Sequence, residues 1–188
     1  MKNIPLEIYD DSFSLPTTNN KPSDIKRADE KILIMIDVQN LYYAAINQFN
    51  KKINYATLLD KMAKGKILVE AAAYTAVKKN NNNQDRFLSA LEQIGFRVET
   101  KMVIERIDGS MKADWDMAMA MDALTYAENN KIDRLILASG DGDFVPLINK
   151  LWDTHRIKTT IYSFKKSLAD ILYDSAHKIY ILDEIDCL

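Results

Sequence analysis

Apolar positions along this chain switch repeatedly between continuous runs and helical spacing. Residues 31–37, KILIMID, form a short apolar run fit for a strand buried on both faces. From Asn40 to Phe49 the positions Leu41, Ala44, Ala45 and Gln48 fall at helical spacing. Asn54 predicts the cap of a second helix, YATLLDKMAKG, which Gly65 stops. ILVEAAAYTAV (67–77) reads as a second strand, although its alanines are poor strand formers. The asparagines at 80–83 predict a loop, and Gln84 to Ile94 is amphipathic through Phe87, Leu88, Leu91 and Ile94, with Gly95 ending it. Residues 96–107 read as extended, and DGS (108–110) is a turn signal. A helix over Asp114–Glu128 stops at Asn129-Asn130. The strand RLILAS (134–139), the helix FVPLINKLWD and the strand KTTIYS (158–163) follow, then a helix near 167–175 and the strand KIYIL (178–182).

Strands alternating with helices from 31 to 182 imply βαβ crossovers, hence an α/β fold with a central, mainly parallel sheet. No internal repeat or second boundary is visible, so residues 30–188 read as one domain. Residues 1–29 include SLPTTNNKPSD and show no hydrophobic period, which predicts an irregular tail or packed arm. Ligands in such sheets bind outside the carboxyl ends of the strands, so residues at those ends are the first candidates for chemistry.

Composition narrows the class. With 47% hydrophobic and 28% charged residues, the 188-residue chain has an ordinary globular mix. MKNIPLEIYDD carries no apolar signal region and no apolar run nears the roughly 18 residues that span a bilayer, so a cytoplasmic protein with no membrane partner is expected. Cys187 is the only cysteine, which excludes disulfide frameworks and thiolate metal sites within the chain. The net charge of −2 argues against a general nucleic-acid coat. Its distribution is uneven: residues 61–79 and 150–166 are locally basic, and 170–188 are acidic.

The strand ends carry carboxylates. Asp37 closes KILIMID with Asn40 one turn later, and LASGDGDF places Asp141 and Asp143 just past RLILAS. In KADWDMAMAMD, Asp114 and Asp116 sit at the expected helix start. Asp122 lies six residues beyond Asp116, about 240° around a helix, so those two do not share a face. Singly, each residue has an ordinary explanation: Asp116 or Asp143 as an N-cap or first-turn acid, Asp141 as a turn residue, and Asn40 as the cap of the first helix. Jointly they raise an electrostatic problem. Two carboxylates about 4 Å apart repel by roughly 4 kcal/mol at an effective dielectric of 20, against a total stability of about 5–15 kcal/mol. They must share protons, pair with lysine or arginine, or hold a cation. All the offered donors are oxygens, and His155 and His177 lie away from these motifs, which favours Mg²⁺ or Mn²⁺ over Zn²⁺. Such a site suits phosphodiester hydrolysis. Gly140 and Gly142 are expected to permit a tight turn and close approach by a substrate. Ser139 lacks the GxSxG frame of a serine hydrolase, and no GxGxxG or Walker motif occurs.

Three blocks, IMIDVQNLY (34–42), KADWDMAMAMDAL (112–124) and LILASGDGDFVPLI (135–148), resemble the NYN family of PIN-like nucleases, particularly its LabA-like branch. The resemblance implies a PIN-like three-layer sandwich and a metal-dependent ribonuclease site. It assigns Asp37, Asp116, Asp141 and Asp143 to the family's acidic positions, for catalysis and for Mg²⁺ or Mn²⁺. Asn40 and Ser139 match supporting polar positions, with Asp114 and Asp122 as secondary members. His177 stands where the family usually has an acid near the last strand, a departure expected to affect packing or a peripheral contact.

The function expected is therefore a metal-dependent endoribonuclease, with a non-catalytic RNA-binding or regulatory module as the alternative. RNA phosphates are expected to meet Lys112, Lys78 and Lys79, with Lys165 and Lys166 further candidates. Tyr42 and Tyr43 offer a base a stacking surface, but their place on a first helix favours core packing. Protein partners or a homo-oligomer remain open from sequence.

Overall fold

The computed structural model describes residues 7–8, 30–77, 82–102, 104–105, 111–112, 115–129 and 131–188. Two-residue β1 (Glu7–Ile8) comes first, and the domain proper begins at β2 (Lys31–Asp37), whose residues Ile32 to Ile36 are fully buried. Its neighbours cover both edges and its flanking helices cover both faces, which is why nothing polar interrupts the run. After β2 come α1 (Val38–Phe49), α2 (Tyr55–Ala63), β3 (Ile67–Val77), α3 (Asn82–Ile94) and β4 (Arg97–Met102). A short antiparallel pair, β5 (Ile104–Glu105) and β6 (Met111–Lys112), leads to α4 (Asp116–Glu128) and β7 (Arg134–Ala138). The chain closes with α5 (Val145–His155), β8 (Lys158–Phe164), α6 (Ile171–Ser175) and β9 (Lys178–Leu182).

The main sheet is parallel throughout, in the order β1-β9-β8-β7-β2-β3-β4. Strand alternation sorts the core into two layers. Ile32, Ile34 and Ile36 face α1, α2 and α3, packing with Leu41, Leu58, Met62 and Leu91. Leu33 and Met35 point the other way, against Met119 and Ala123 of α4 and Ile148 and Leu151 of α5. The result is the expected sandwich of helices, sheet and helices.

Local signals explain most boundaries. Asp37 caps α1, which starts at Val38 rather than Asn40 because that carboxylate accepts the Asn40 N–H. Asn54 caps α2 as predicted, accepting the Thr57 N–H at 3.2 Å. Gly95 ends α3 with φ +115°, a conformation that side chains disfavour. The helix expected near 167–175 is broken instead into a 3₁₀ turn at Lys165–Ser167 and the five-residue α6. Between them Ala169 N–H bonds to the Gly140 carbonyl at 2.9 Å, which draws the chain out of a helical path. The DGS turn lies outside the described residues.

Candidate metal centre

The sheet order reverses at β2: the chain runs outward through β3 and β4, then returns to build β7, β8 and β9 on the other side. The crevice beyond the carboxyl ends of β2 and β7 is therefore a topological switch point. Ile36 pairs with Ala138, so Asp37 and Ser139 leave adjacent strands side by side.

Hydrogen bonds then lock the two chain segments together. The Asp37 carboxylate accepts the Asn40 N–H at 3.0 Å, and the Asn40 amide oxygen accepts the Gly140 N–H at 3.0 Å. Ser139 is fully buried, and its Oγ accepts the Asp141 N–H at 3.2 Å. Asp141 Oδ1 in turn accepts the Asp143 N–H at 2.9 Å, capping the 3₁₀ turn Gly142–Phe144. Asp37 rather than Asn40 is thus the cap of α1, the Asn40 amide reaching across to Gly140 instead, while the turn role that ordinary chemistry assigns to Asp141 is real. Each cap uses one oxygen of a carboxylate that carries two.

The glycines have a different cause from the one expected. Neither Gly140 nor Gly142 adopts a left-handed backbone. A Cβ on Gly140 would lie 2.1 Å from the Ser167 carbonyl oxygen and 2.5 Å from Ser163 Oγ. The close approach is made by the protein's own 163–167 segment, and no room for a substrate is implied there.

Asp116 opens α4, and one carboxylate oxygen each of Asp116, Asp141 and Asp143 lies within 4.8 Å of the others. Asp116 and Asp141 are partly buried and Asp143 is exposed. Asp37 ends the neighbouring strand, outside that 4.8 Å set. Asp122 is committed elsewhere: it accepts from Tyr74 OH at 2.6 Å and from Arg97 Nη2 at 2.8 Å. Arg97 also pairs with Glu70 and Glu99, and Tyr126 OH donates to Glu70. Burial and the hydrogen bond to Asp122 push the Tyr74 hydroxyl well above its ordinary pKa, so it keeps its proton. This network braces β3, β4 and α4, and nothing in the sequence pattern announced it.

The other expected residues distribute as follows. Lys165 and Lys166 are exposed just past the carboxyl end of β8. The side chain of Lys112, and residues Lys78, Lys79 and Asp114, lie outside the described part of the structure. Tyr42 and Tyr43 overturn the core-packing expectation, being 39% and 58% exposed, with their rings edge to face at 5.5 Å. Leu41 and Ala45 carry the buried stripe of α1, and successive residues step 100° around a helix, which swings the tyrosines outward. His177 precedes β9 and so stands at the opposite end of the sheet from the acids. Its Nδ1 accepts the Thr159 N–H at 3.3 Å and its ring meets Trp152 at 4.5 Å, a packing position. Burial first, then Arg134 and Lys158, push His177 down to about 4, so the imidazole is neutral at neutral pH.

An all-oxygen donor set this close could hold a metal ion. No helix among the described residues is long and apolar enough to cross a membrane.

Comparison with known proteins agrees with this architecture. A protein of unknown function from Vibrio parahaemolyticus RIMD 2210633, solved by crystallography, superimposes with a TM-score of 0.77 at 34% identity, over 89% of this chain and 99% of that one. A putative aminotransferase from Clostridium difficile 630 aligns with a TM-score of only 0.26 at 10% identity, over 70% of this chain and 37% of that one, which supports no inference. No curated protein gave a significant match. The NYN domain matches residues 31–183, a span that holds every strand of the sheet except β1 and all three clustered aspartates. On that match the chain belongs to the NYN domain family of PIN-like nucleases.

Proposed function

We propose that the protein is a Mg²⁺- or Mn²⁺-dependent endoribonuclease. The observation that carries this reading is the convergence of Asp116, Asp141 and Asp143 within 4.8 Å at the switch point of a parallel sheet. These three residues would hold the ion, with Asp37 on the adjacent strand as a further carboxylate facing the same crevice. A bound divalent ion supplies an activated water and charge neutralisation on the scissile phosphate. The chain's own part is to preform the cage: the Asp37–Asn40–Gly140 and Ser139–Asp141–Asp143 hydrogen bonds fix the loop before any ligand arrives. Lys165 and Lys166, exposed past β8, are the described candidates for binding flanking phosphates.

The test is cleavage of end-labelled single-stranded RNA by the purified protein. Activity with Mn²⁺, its loss in EDTA and its loss in Asp37→Asn and Asp141→Asn are expected. RNA should be cut in preference to DNA of the same sequence and to small phosphate esters. Binding of RNA without cleavage under all these conditions would identify a regulatory module instead.

A further inference from the structure

A cavity of about 490 Å³ opens between α1, α2 and α3 on the face of the sheet opposite α4 and α5. Its wall begins one residue beyond the acidic strand end on two strands at once. Asp37 is paired with Tyr74, and the next residues, Val38 and Thr75, both line the cavity. The volume lies within the roughly 300–1,000 Å³ typical of small-molecule sites.

Its lining is mainly apolar, with a few placed polar groups. Tyr55 is 7% exposed, and its hydroxyl has no hydrogen-bond partner among the described residues. A buried donor left unpaired costs stability, so a group retained there calls for a partner. Burial, then the charge of Asp37 and then Tyr42, hold the Tyr55 hydroxyl well above its ordinary pKa, so it remains a proton donor at any working pH. The influence of Asp37 also places this hydroxyl within electrostatic reach of the acidic strand end. Phe87 packs its ring against Tyr55 at 5.7 Å, and the exposed Tyr42 and Tyr43 stand on the α1 wall. Exposed Lys52 also lines the cavity.

We propose that this cavity binds one nucleobase of the RNA substrate, stacked against the tyrosines and accepting a hydrogen bond from Tyr55. A flat ring with an acceptor edge answers both features of the lining, where an aliphatic chain would leave Tyr55 unpaired. Lys52 then meets a neighbouring phosphate. The assignment rests on the nucleic-acid reading of the acidic site and adds to it a place where a base beside the scissile bond is gripped.

The experiment is titration of ¹⁵N-labelled protein with adenosine, guanosine, cytidine and uridine in EDTA, so that binding is read without metal or cleavage. Saturable amide shifts at Val38, Thr75 and Ala76 are expected with at least one nucleoside. Ala90→Phe and Ala56→Phe, both at exposed positions lining the cavity, should abolish them. Tyr55→Phe, which keeps the ring, should weaken binding by about three- to tenfold. Asp141→Asn should bind as the unaltered protein does. Nucleoside binding by a protein that cleaves no RNA would uphold the cavity and sink only the nuclease reading. Unchanged spectra with all four nucleosides, shifts that persist in both phenylalanine variants, or binding of decanoate in preference to every nucleoside would overturn the proposal.

Discussion

Replacing Asp141 by Asn separates its turn hydrogen bond from the metal contact proposed for it. Asn retains a carbonyl oxygen that can accept the Asp143 N–H, and Asn caps about as well as Asp, so the turn should survive. What changes is charge. At 4.8 Å a pair of carboxylates repels by about 0.9 kcal/mol in bulk water and about 3.5 kcal/mol at an effective dielectric of 20. Asp143 is exposed and Asp141 only partly buried, so the wet limit is nearer, and relief from two neighbours totals about 1–2 kcal/mol. In a domain of this size about 1 kcal/mol moves Tm by roughly 2–4 °C. Metal-free Asp141→Asn should therefore melt a few degrees higher than the unaltered protein.

Metal erodes that advantage. Mn²⁺ at one hundred times its Kd stabilises the native state by about 2.7 kcal/mol, which corresponds to roughly 5–11 °C. Losing a charged donor worth about 1.5–3 kcal/mol weakens that binding by roughly 10- to 150-fold. The assay is differential scanning fluorimetry in EDTA and across a Mn²⁺ series, with Asp122→Asn as a control. Because Asp122 pairs with Arg97, its variant should lose stability but keep the full Mn²⁺ response. A metal-free Tm that falls in Asp141→Asn, or an unchanged Mn²⁺ response, would show that the acids merely brace the turn.

Other expectations can be tested on the same material. Gly140→Ala should destabilise the domain by about 3 kcal/mol or more in urea denaturation, since its Cβ meets backbone at 2.1 Å and the 163–167 segment must move. Arg97→Met should cost about 2–3 kcal/mol by the same measurement, leaving Glu70, Glu99 and Asp122 without their common cation, with the loss discounted because the site is partly exposed. His177, held from an ordinary 6.5 down to about 4, refuses a proton that the unfolded chain accepts. Its contribution is thus intact above pH 6.5 and lost as pH falls towards 4. At a half-buried ring this amounts to about 1–2 kcal/mol, and a His177→Gln variant should lack that component in its stability–pH profile.

Elements bounded by abrupt polarity changes were legible from sequence. KILIMID, ILVEAAAYTAV and KIYIL became β2, β3 and β9 with the expected ends, because each run is closed by charged, polar or glycine residues. The neighbouring exits of Asp37 and Ser139 were also legible, since they follow from strand order alone. What depends on register or on distant backbone was not. The Arg97 network exists because β4 pairs with β3 from Ala72 onward, bringing Arg97 within reach of Glu70 and Tyr74. The breakage of the 167–175 helix depends on a hydrogen bond to Gly140, and the glycine's own cause lies in Ser163 and Ser167. Neither relation leaves a local trace.

The position of Asp37 connects these parts physically. It ends the central strand, where helices of opposite layers diverge: the clustered aspartates belong to the α4 and α5 side, and the Tyr55 cavity to the α1, α2 and α3 side. A single strand end thus borders both a place for charge and a place for a flat ring. Strand alternation makes this possible, since Tyr74, opposite Asp37, points towards Asp122 while Thr75 beside it turns into the cavity. A one-residue register slip would exchange the two faces and dismantle both sites together. The buried aliphatic run of β2 is what forbids that slip, so an apolar strand holds the aspartate crevice in place.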